Sequence, residues 1–114
     1  MPTPPLPLHE IKADLFKALA HPLRIRILEL LSTHPERAVS ELLAETGLEA
    51  SHLSQHLAVL RRHGVVASQR RGSAVFYRLA SGQIDTLLEA ARAFLRERLE
   101  HTEAVLIDDP TEPR

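Results

Sequence analysis

The segment 48–64, LEASHLSQHLAVLRRHG, constrains the fold of this chain more than any other. Leu53, Leu57 and Leu60 recur at the spacing of one helix face, so we expect an amphipathic helix with a buried leucine stripe that ends at Gly64. The opposite face is short, polar and free of carboxylates after Glu49. An ordinary amphipathic helix and a helix that reads DNA both fit this pattern, so the flanking segments must distinguish them.

The polar residues of this helix supply candidate contacts to DNA. Its first two turns carry short or hydrogen-bonding side chains: Ala50, Ser51, His52, Ser54 and Gln55. Its last turn carries Arg61 and Arg62. If the first turns enter a major groove, these side chains are expected to contact base edges, with Ala50 allowing close approach, while the arginines meet phosphate. Gln55 is the best candidate for a bidentate contact with adenine.

Three further helices are predicted before this segment. The first runs from Leu8 to Leu19 and must end before Pro22, which then fits the first turn of the second. The second covers 22–32 and is expected to bury four apolar residues: Leu23, Ile27, Leu30 and Leu31. The third, short helix is expected to have Ser40 as its N-cap and to cover 41–45. Because Gly47 can then adopt a positive φ, the short and the longer helix form a helix-turn-helix.

Two strands are predicted after Gly64, at 65–69 and 74–79. The residues that join them, Arg70-Arg71-Gly72-Ser73, place two adjacent arginines at the tip of the hairpin. A hairpin directly after a recognition helix is a wing, so we expect Arg70 and Arg71 to contact phosphate or the minor groove. The alternative is a solvated turn.

A last helix is predicted over 83–103, with an apolar stripe wider than one small core requires. The stripe comprises Ile84, Leu87, Leu88, Ala91, Phe94, Leu95 and Leu99. The sequence therefore predicts a two-fold homodimer that covers the excess apolar face. The alternative is that the whole stripe packs on the wing and the second helix.

The net charge of −1 conceals a strong polarity along the chain. Residues 48–79 contain five arginines and one acid, whereas residues 80–114 contain four arginines and eight acids. A local basic patch matters more for phosphate contact than the overall charge does. The sequence contains no cysteine. It also has no nucleophile paired with a base and no phosphate-binding loop, so nothing in it indicates an enzyme.

The length predicts a single domain, which covers 8–107. The order of the predicted elements gives it a mainly α structure with a small β-hairpin wing. A disordered proline-rich tail is expected over 1–7 and a flexible tail over 108–114. With no apolar run long enough to cross a bilayer and no secretory signal pattern, we expect a soluble, cytoplasmic protein with no membrane partner.

Three segments resemble the ArsR/SmtB family of bacterial winged-helix repressors: FKALAHPLRIRILELL (16–31), VSELLAETGLEASHLSQHLAVLRRHGVV (39–66) and RRGSAVFYRL (70–79). The resemblance implies a winged helix-turn-helix homodimer, joined by helices from both chain ends. It also implies binding to an imperfect inverted repeat in a promoter, often with an effector that releases the DNA. The family's thiolate motif corresponds to 38–43, which contains no thiol. Its last-helix metal site falls on Ser81, Gln83, Phe94 and Glu97, of which only Glu97 could bind a metal.

The histidines leave a metal response open. Glu97 and His101 are one helical turn apart, and His9 could approach them across a dimer to complete a nickel or zinc site. His52 and His56 have the same spacing, but their place on the recognition helix favours DNA or solvent for His52 and a structural hydrogen bond for His56. The second functional hypothesis is a winged-helix protein-interaction module that needs a partner protein, or such a metal site, for its effector response.

Overall fold

The computed structural model describes residues 7–100, which form five helices and one three-stranded antiparallel sheet of order β1–β3–β2. In chain order the elements are α1 (Leu8–Leu19), α2 (Pro22–Ser32), β1 (Arg37–Ala38), α3 (Val39–Thr46), α4 (Ala50–Arg62), β2 (Val66–Arg71), β3 (Ala74–Leu79) and α5 (Gly82–Leu99). The predicted mainly α fold with a hairpin wing, formed by β2 and β3, is confirmed. Residues 1–6 and 101–114, on which most of both predicted tails and the predicted end of the last helix fall, lie outside the described residues.

The junction between α1 and α2 follows the local rules for proline. His21 is extended, with φ −155° and ψ 130°, as a residue before proline prefers. Its Nδ1 accepts a hydrogen bond of 3.1 Å from the amide of Leu23 and so caps the first turn of α2. Pro22 then begins the helix where a missing N–H costs nothing.

The start of α3 differs from the prediction that Ser40 is its N-cap. Ala38 is the N-cap, and its amide donates a hydrogen bond of 2.7 Å to the Glu41 carboxylate. The reason is that Ala38 ends β1 in an extended conformation, so the helix begins directly at Val39. Gly47 ends α3 with φ +69°, the left-handed turn that was expected there.

The chain leaves α4 through a turn at Gly64, whose φ is +72°. The Gly64 amide donates to the Arg61 carbonyl at 3.0 Å, and the Val65 amide donates to the Leu60 carbonyl at 2.9 Å. This pair of hydrogen bonds is a Schellman motif, and its usual apolar contact joins Leu60 and Val65, which are both fully buried. The motif directs the chain from α4 straight into β2.

The wing is longer than predicted, and it has a third strand. Arg70 and Arg71 lie inside β2, opposite Val75 and Ala74, rather than in the turn, so only the residues 72–73 connect the two strands. The unpredicted strand β1 pairs with β3. Two residues are too few to show the alternation by which a strand is recognised in sequence.

The core lies between α2, α3, α4 and the sheet. Its largest fully buried side chains are Ile27, Leu28, Leu42, Leu53, Leu60 and Val65. The leucine stripe of α4 is buried as predicted. In α2, Leu28 is fully buried, whereas Leu23, which was expected to be buried, is only half-buried. The helix packs against α3, α4, α5 and β3, so it buries more of its circumference than a single stripe.

The two outer helices leave apolar side chains exposed. α5 contains no buried residue: Ile84, Leu87 and Leu88 pack at the edge of the core, whereas Phe94 is 59% exposed and Leu95 is 45% exposed. The other large apolar residues left exposed between residues 7 and 100 are on α1: Leu8, Ile11 and Phe16. Among the described residues, packing on the core therefore covers the first turns of the α5 stripe and leaves Phe94 and Leu95 exposed. No helix within this range has the length and apolar character of a membrane span.

Candidate nucleic-acid interface

The predicted base-contacting residues form one exposed surface at the start of α4. Ala50, Ser51, His52, Ser54 and Gln55 are all exposed. Ser51, Gln55 and Arg62 are four and seven residues apart, so they follow one line along the helix, opposite the buried leucines. No carboxylate interrupts this line, and no part of the chain from 7 to 100 covers it.

The far end of α4 is connected to the wing by Arg61. Its guanidinium donates a hydrogen bond of 3.5 Å to the Ser68 hydroxyl on β2. Ser68 is opposite the buried Tyr77, so it lies on the sheet face that is turned to the core and to α4. Arg70, two residues further along β2, is on the same face and is exposed. Arg61 and Arg70 are therefore two exposed arginines, one in the last turn of α4 and one on the wing face that is turned to α4.

Arg71 is on the opposite face of the wing. Its guanidinium forms an ion pair with Glu36 and lies 4.2 Å from the ring centroid of Phe76. Nearly half of its side chain is still exposed. The structure therefore separates the two adjacent arginines that were expected to act together. The ion pair was missed because its partners are 35 residues apart and nothing in the local sequence connects them.

A buried arginine supports the helix before the turn. Arg37 on β1 is only 6% exposed; it pairs with Glu45 of α3 and donates a hydrogen bond of 3.0 Å to the Thr33 hydroxyl beyond α2. It thereby holds α3, and with it the turn before α4, against α2. No signal in the sequence distinguishes Arg37 from a solvated loop residue.

His56 makes the structural hydrogen bond that was predicted for it. Its Nδ1 accepts from the Arg24 guanidinium at 3.4 Å, and its ring centroid is 4.5 Å from that of His21. Burial, followed by the charges of His21, Arg24 and His52, lowers the pKa of His56 below its ordinary value. The partner Arg24 was not anticipated from the sequence.

Of the three predicted metal ligands, the structure describes two. His9 is exposed on α1, Glu97 is exposed on α5, and His101 lies outside the described residues. Between residues 7 and 100, no three potential ligands come close enough to hold a metal ion. A nickel or zinc site on these residues stays a prediction, and it requires His101 together with a second copy of the chain.

Comparison with known proteins gives concordant matches. The family model for bacterial regulatory proteins of the arsR family matches residues 21–68. An uncharacterized HTH-type transcriptional regulator of Mycobacterium tuberculosis, Rv0081, is 53% identical over 103 residues, 90% of each chain. Its crystal structure superimposes with a TM-score of 0.79 at 51% identity, over 88% of this chain and all of that one.

Two more distant proteins extend the comparison. A biofilm growth-associated repressor of Agrobacterium fabrum is 40% identical over 93 residues, 78% of this chain and 79% of its own. The homodimeric winged helix-turn-helix DNA-binding domain Mb0332 of Mycobacterium bovis, solved by NMR, has a TM-score of 0.75 at 32% identity. That match covers 87% of this chain and 91% of the domain.

Proposed function

We propose that this chain, which belongs to the arsR family of bacterial regulatory proteins, is a transcriptional regulator that binds a pseudo-palindromic promoter operator as a homodimer. Each subunit presents the first turns of α4 to base edges through Ser51, His52, Ser54 and Gln55, with Ala50 allowing close approach. Arg61, Arg62, Arg70 and Arg71 are the candidates for phosphate or minor-groove contact. The family membership makes the chain a regulator rather than an enzyme.

The observation that carries the proposal is the composition of the exposed α4 surface. All five residues of its first two turns that we assign to DNA are exposed, and none is acidic. The leucines behind them are fully buried, so the surface is held on a rigid support. Guanidinium groups flank it at the end of α4 and on the wing. This arrangement matches what a recognition helix requires, namely base-edge contacts between positively charged phosphate contacts.

The exposed apolar residues of α1 and α5 support the homodimer. Leu8, Ile11, Phe16, Phe94 and Leu95 would meet a second copy if the two outer helices formed the interface. The Mb0332 domain, which has the same fold, is homodimeric, and this favours a homodimer here. A two-fold dimer places two α4 helices about one turn of DNA apart, and this geometry calls for an operator with inverted repeats.

Replacement of Gln55 tests the reading of bases. We expect Gln55→Ala to cost about 1–3 kcal/mol of binding free energy on the preferred duplex and far less on random DNA. The reason is that a base contact stabilises only the complex with the matching sequence. The preferred duplex would be selected from a random-sequence library by repeated binding to the full chain. Affinities would then be measured by fluorescence anisotropy. Gln83→Ala is the matched control, since Gln83 is an exposed glutamine on α5.

Two outcomes would contradict the proposal in different ways. Equal losses of affinity for preferred and random duplexes would show that Gln55 makes no base contact, although the chain would still bind DNA. If affinity for every duplex were weak and independent of salt, the chain would instead be a protein-interaction module, because phosphate contacts always produce salt dependence.

A further inference from the structure

One guanidinium group connects α1 to the recognition helix. Arg24 lies on α2, where its Nη1 donates a hydrogen bond of 2.9 Å to the carbonyl of Ala18 near the end of α1. Its Nε donates to Nδ1 of His56 on α4 at 3.4 Å. α1 is also one of the two helices with an exposed apolar face. The contact therefore lies between the helix that we assign to dimerisation and the helix that we assign to DNA.

We infer that Arg24 and His56 couple the position of α4 to α1, and that protonation of His56 breaks this coupling and weakens DNA binding. The inference rests on the proposed function. Nδ1 of His56 accepts a hydrogen bond only while that nitrogen carries no proton, and a guanidinium has no acceptor to offer in return. Protonation therefore replaces a hydrogen bond with repulsion between two cations.

The surroundings of His56 offer no charge that would compensate. The groups whose charges act on it are His21 and Arg24 from α2 and His52 from its own helix, and all three are basic. α1 and β2 also pack against α4, but within residues 7–100 neither brings a charged side chain that acts on His56; α1 contributes the Ala18 carbonyl to Arg24. Burial and these neighbours lower the pKa of His56, so the ring is neutral near pH 7 and gains its charge only in acid.

His21 connects the same contact to the start of α2. Its Nδ1 accepts a hydrogen bond from the Leu23 amide and caps α2, while its ring lies against His56. A displacement of the His56 ring therefore also acts on the first turn of the helix that carries Arg24.

The test compares the pH dependence of DNA binding with and without a titratable group at residue 56. All variants carry His52→Asn, so that residue 56 is the only position in α4 at which a histidine is compared. In this background we expect affinity for the enriched duplex to fall about threefold to tenfold from about pH 8 to about pH 5.5, the loss of one hydrogen bond. His56→Asn, whose amide oxygen accepts without titrating, should remove that fall, and His34→Asn is the control at an exposed histidine.

An unchanged fall of affinity in His56→Asn would overturn the inference. If that variant does not fold, Arg24→Lys provides the same test, because it keeps the charge but cannot reach two acceptors from one rigid plane. With Arg24→Lys, we expect weaker binding at about pH 8 and little further loss in acid. A full acid-induced loss in that variant would contradict the coupling.

A measurement without DNA separates this inference from the proposed function. NMR titration should show a His56 pKa below the ordinary value of about 6.5, with amide shifts in α4 and at the end of α1 that follow the same titration. Amide signals that ignore the titration of His56 would overturn the coupling. If these signals respond but no duplex binds in a salt-dependent way, the proposed function fails and the coupling remains.

Discussion

The reading region, defined as residues 48–79, differs from the outer helices α1 and α5 in its charge and in the burial of its apolar side chains. The reading region has five arginines and one acid, and α4 within it buries every leucine of its stripe. α5 has no buried residue, and it leaves Phe94 and Leu95 largely exposed in a part of the chain rich in acids. One region buries its apolar stripe within a single chain, whereas the other leaves large apolar side chains exposed.

This difference shows what an amphipathic pattern does and does not determine. α4 and α5 both have apolar residues at helical spacing, and both form helices. The partner surface for α4 comes from α2, β2 and α1 of the same chain. Within residues 7–100, by contrast, no apolar residue of α5 beyond Leu88 packs against the core cluster. A pattern therefore predicts that a face will be buried, and only the fold shows whether the chain itself can bury it.

Truncation of one leucine in each region is the most severe test of this contrast. Leu57→Ala should lower the free energy of unfolding by about 2–5 kcal/mol, because it leaves a cavity in a closely packed core. Leu95→Ala removes the same atoms from a side chain that is 45% exposed, so the isolated subunit should lose far less. Urea unfolding of both variants, at a concentration where wild-type chains are separate, measures the two losses. Equal losses would mean that α5 belongs to the same core as α4.

A pair of phenylalanine variants tests what covers the outer helices. We expect Phe94→Ala to raise the dimer dissociation constant about 10–100-fold, since a large aromatic residue in an interface typically contributes roughly 1.4–2.8 kcal/mol to association. Sedimentation equilibrium measures this constant directly. Phe76→Ala is the matched control: Phe76 lies on the wing beneath Arg71, and its loss should leave association unchanged. A monomeric wild type would contradict the contrast itself.

The sequence predicted those parts of the molecule that depend on neighbouring residues. The leucine stripe of α4, the glycine turns at Gly47 and Gly64, and the break before Pro22 all follow from spacing or backbone chemistry within a few residues. Exposure of the residues predicted to contact DNA followed from the same stripe, because a helix that buries one face must present the other.

The rest depends on residues that are distant in sequence. The pairing of β1 with β3, the ion pair between Glu36 and Arg71, and the Arg24–His56 contact each join segments about 30 to 40 residues apart. Composition correctly indicated a basic wing, but it could not show that Arg70 and Arg71 point to opposite faces. That distinction required the register of the strands.

The two wing arginines therefore provide the finest test within the reading region. Arg70 is exposed on the face turned to α4, whereas Arg71 is engaged by Glu36 and Phe76. We expect Arg70→Ala to weaken binding to all duplexes and to reduce the slope of log affinity against log salt by about one phosphate contact. Arg71→Ala should change the slope less, because Arg71 must leave an ion pair before it can meet phosphate.

A third variant distinguishes a permanent pairing of Arg71 from one that DNA displaces. Glu36→Gln removes the carboxylate and leaves Arg71 free to turn toward phosphate, so affinity should rise modestly and the salt slope should steepen. If Arg71→Ala alone already flattened the slope as much as Arg70→Ala, phosphate would have displaced Glu36 in the complex. Both faces of the wing would then contact DNA, and the division between the two arginines would hold only for the free protein.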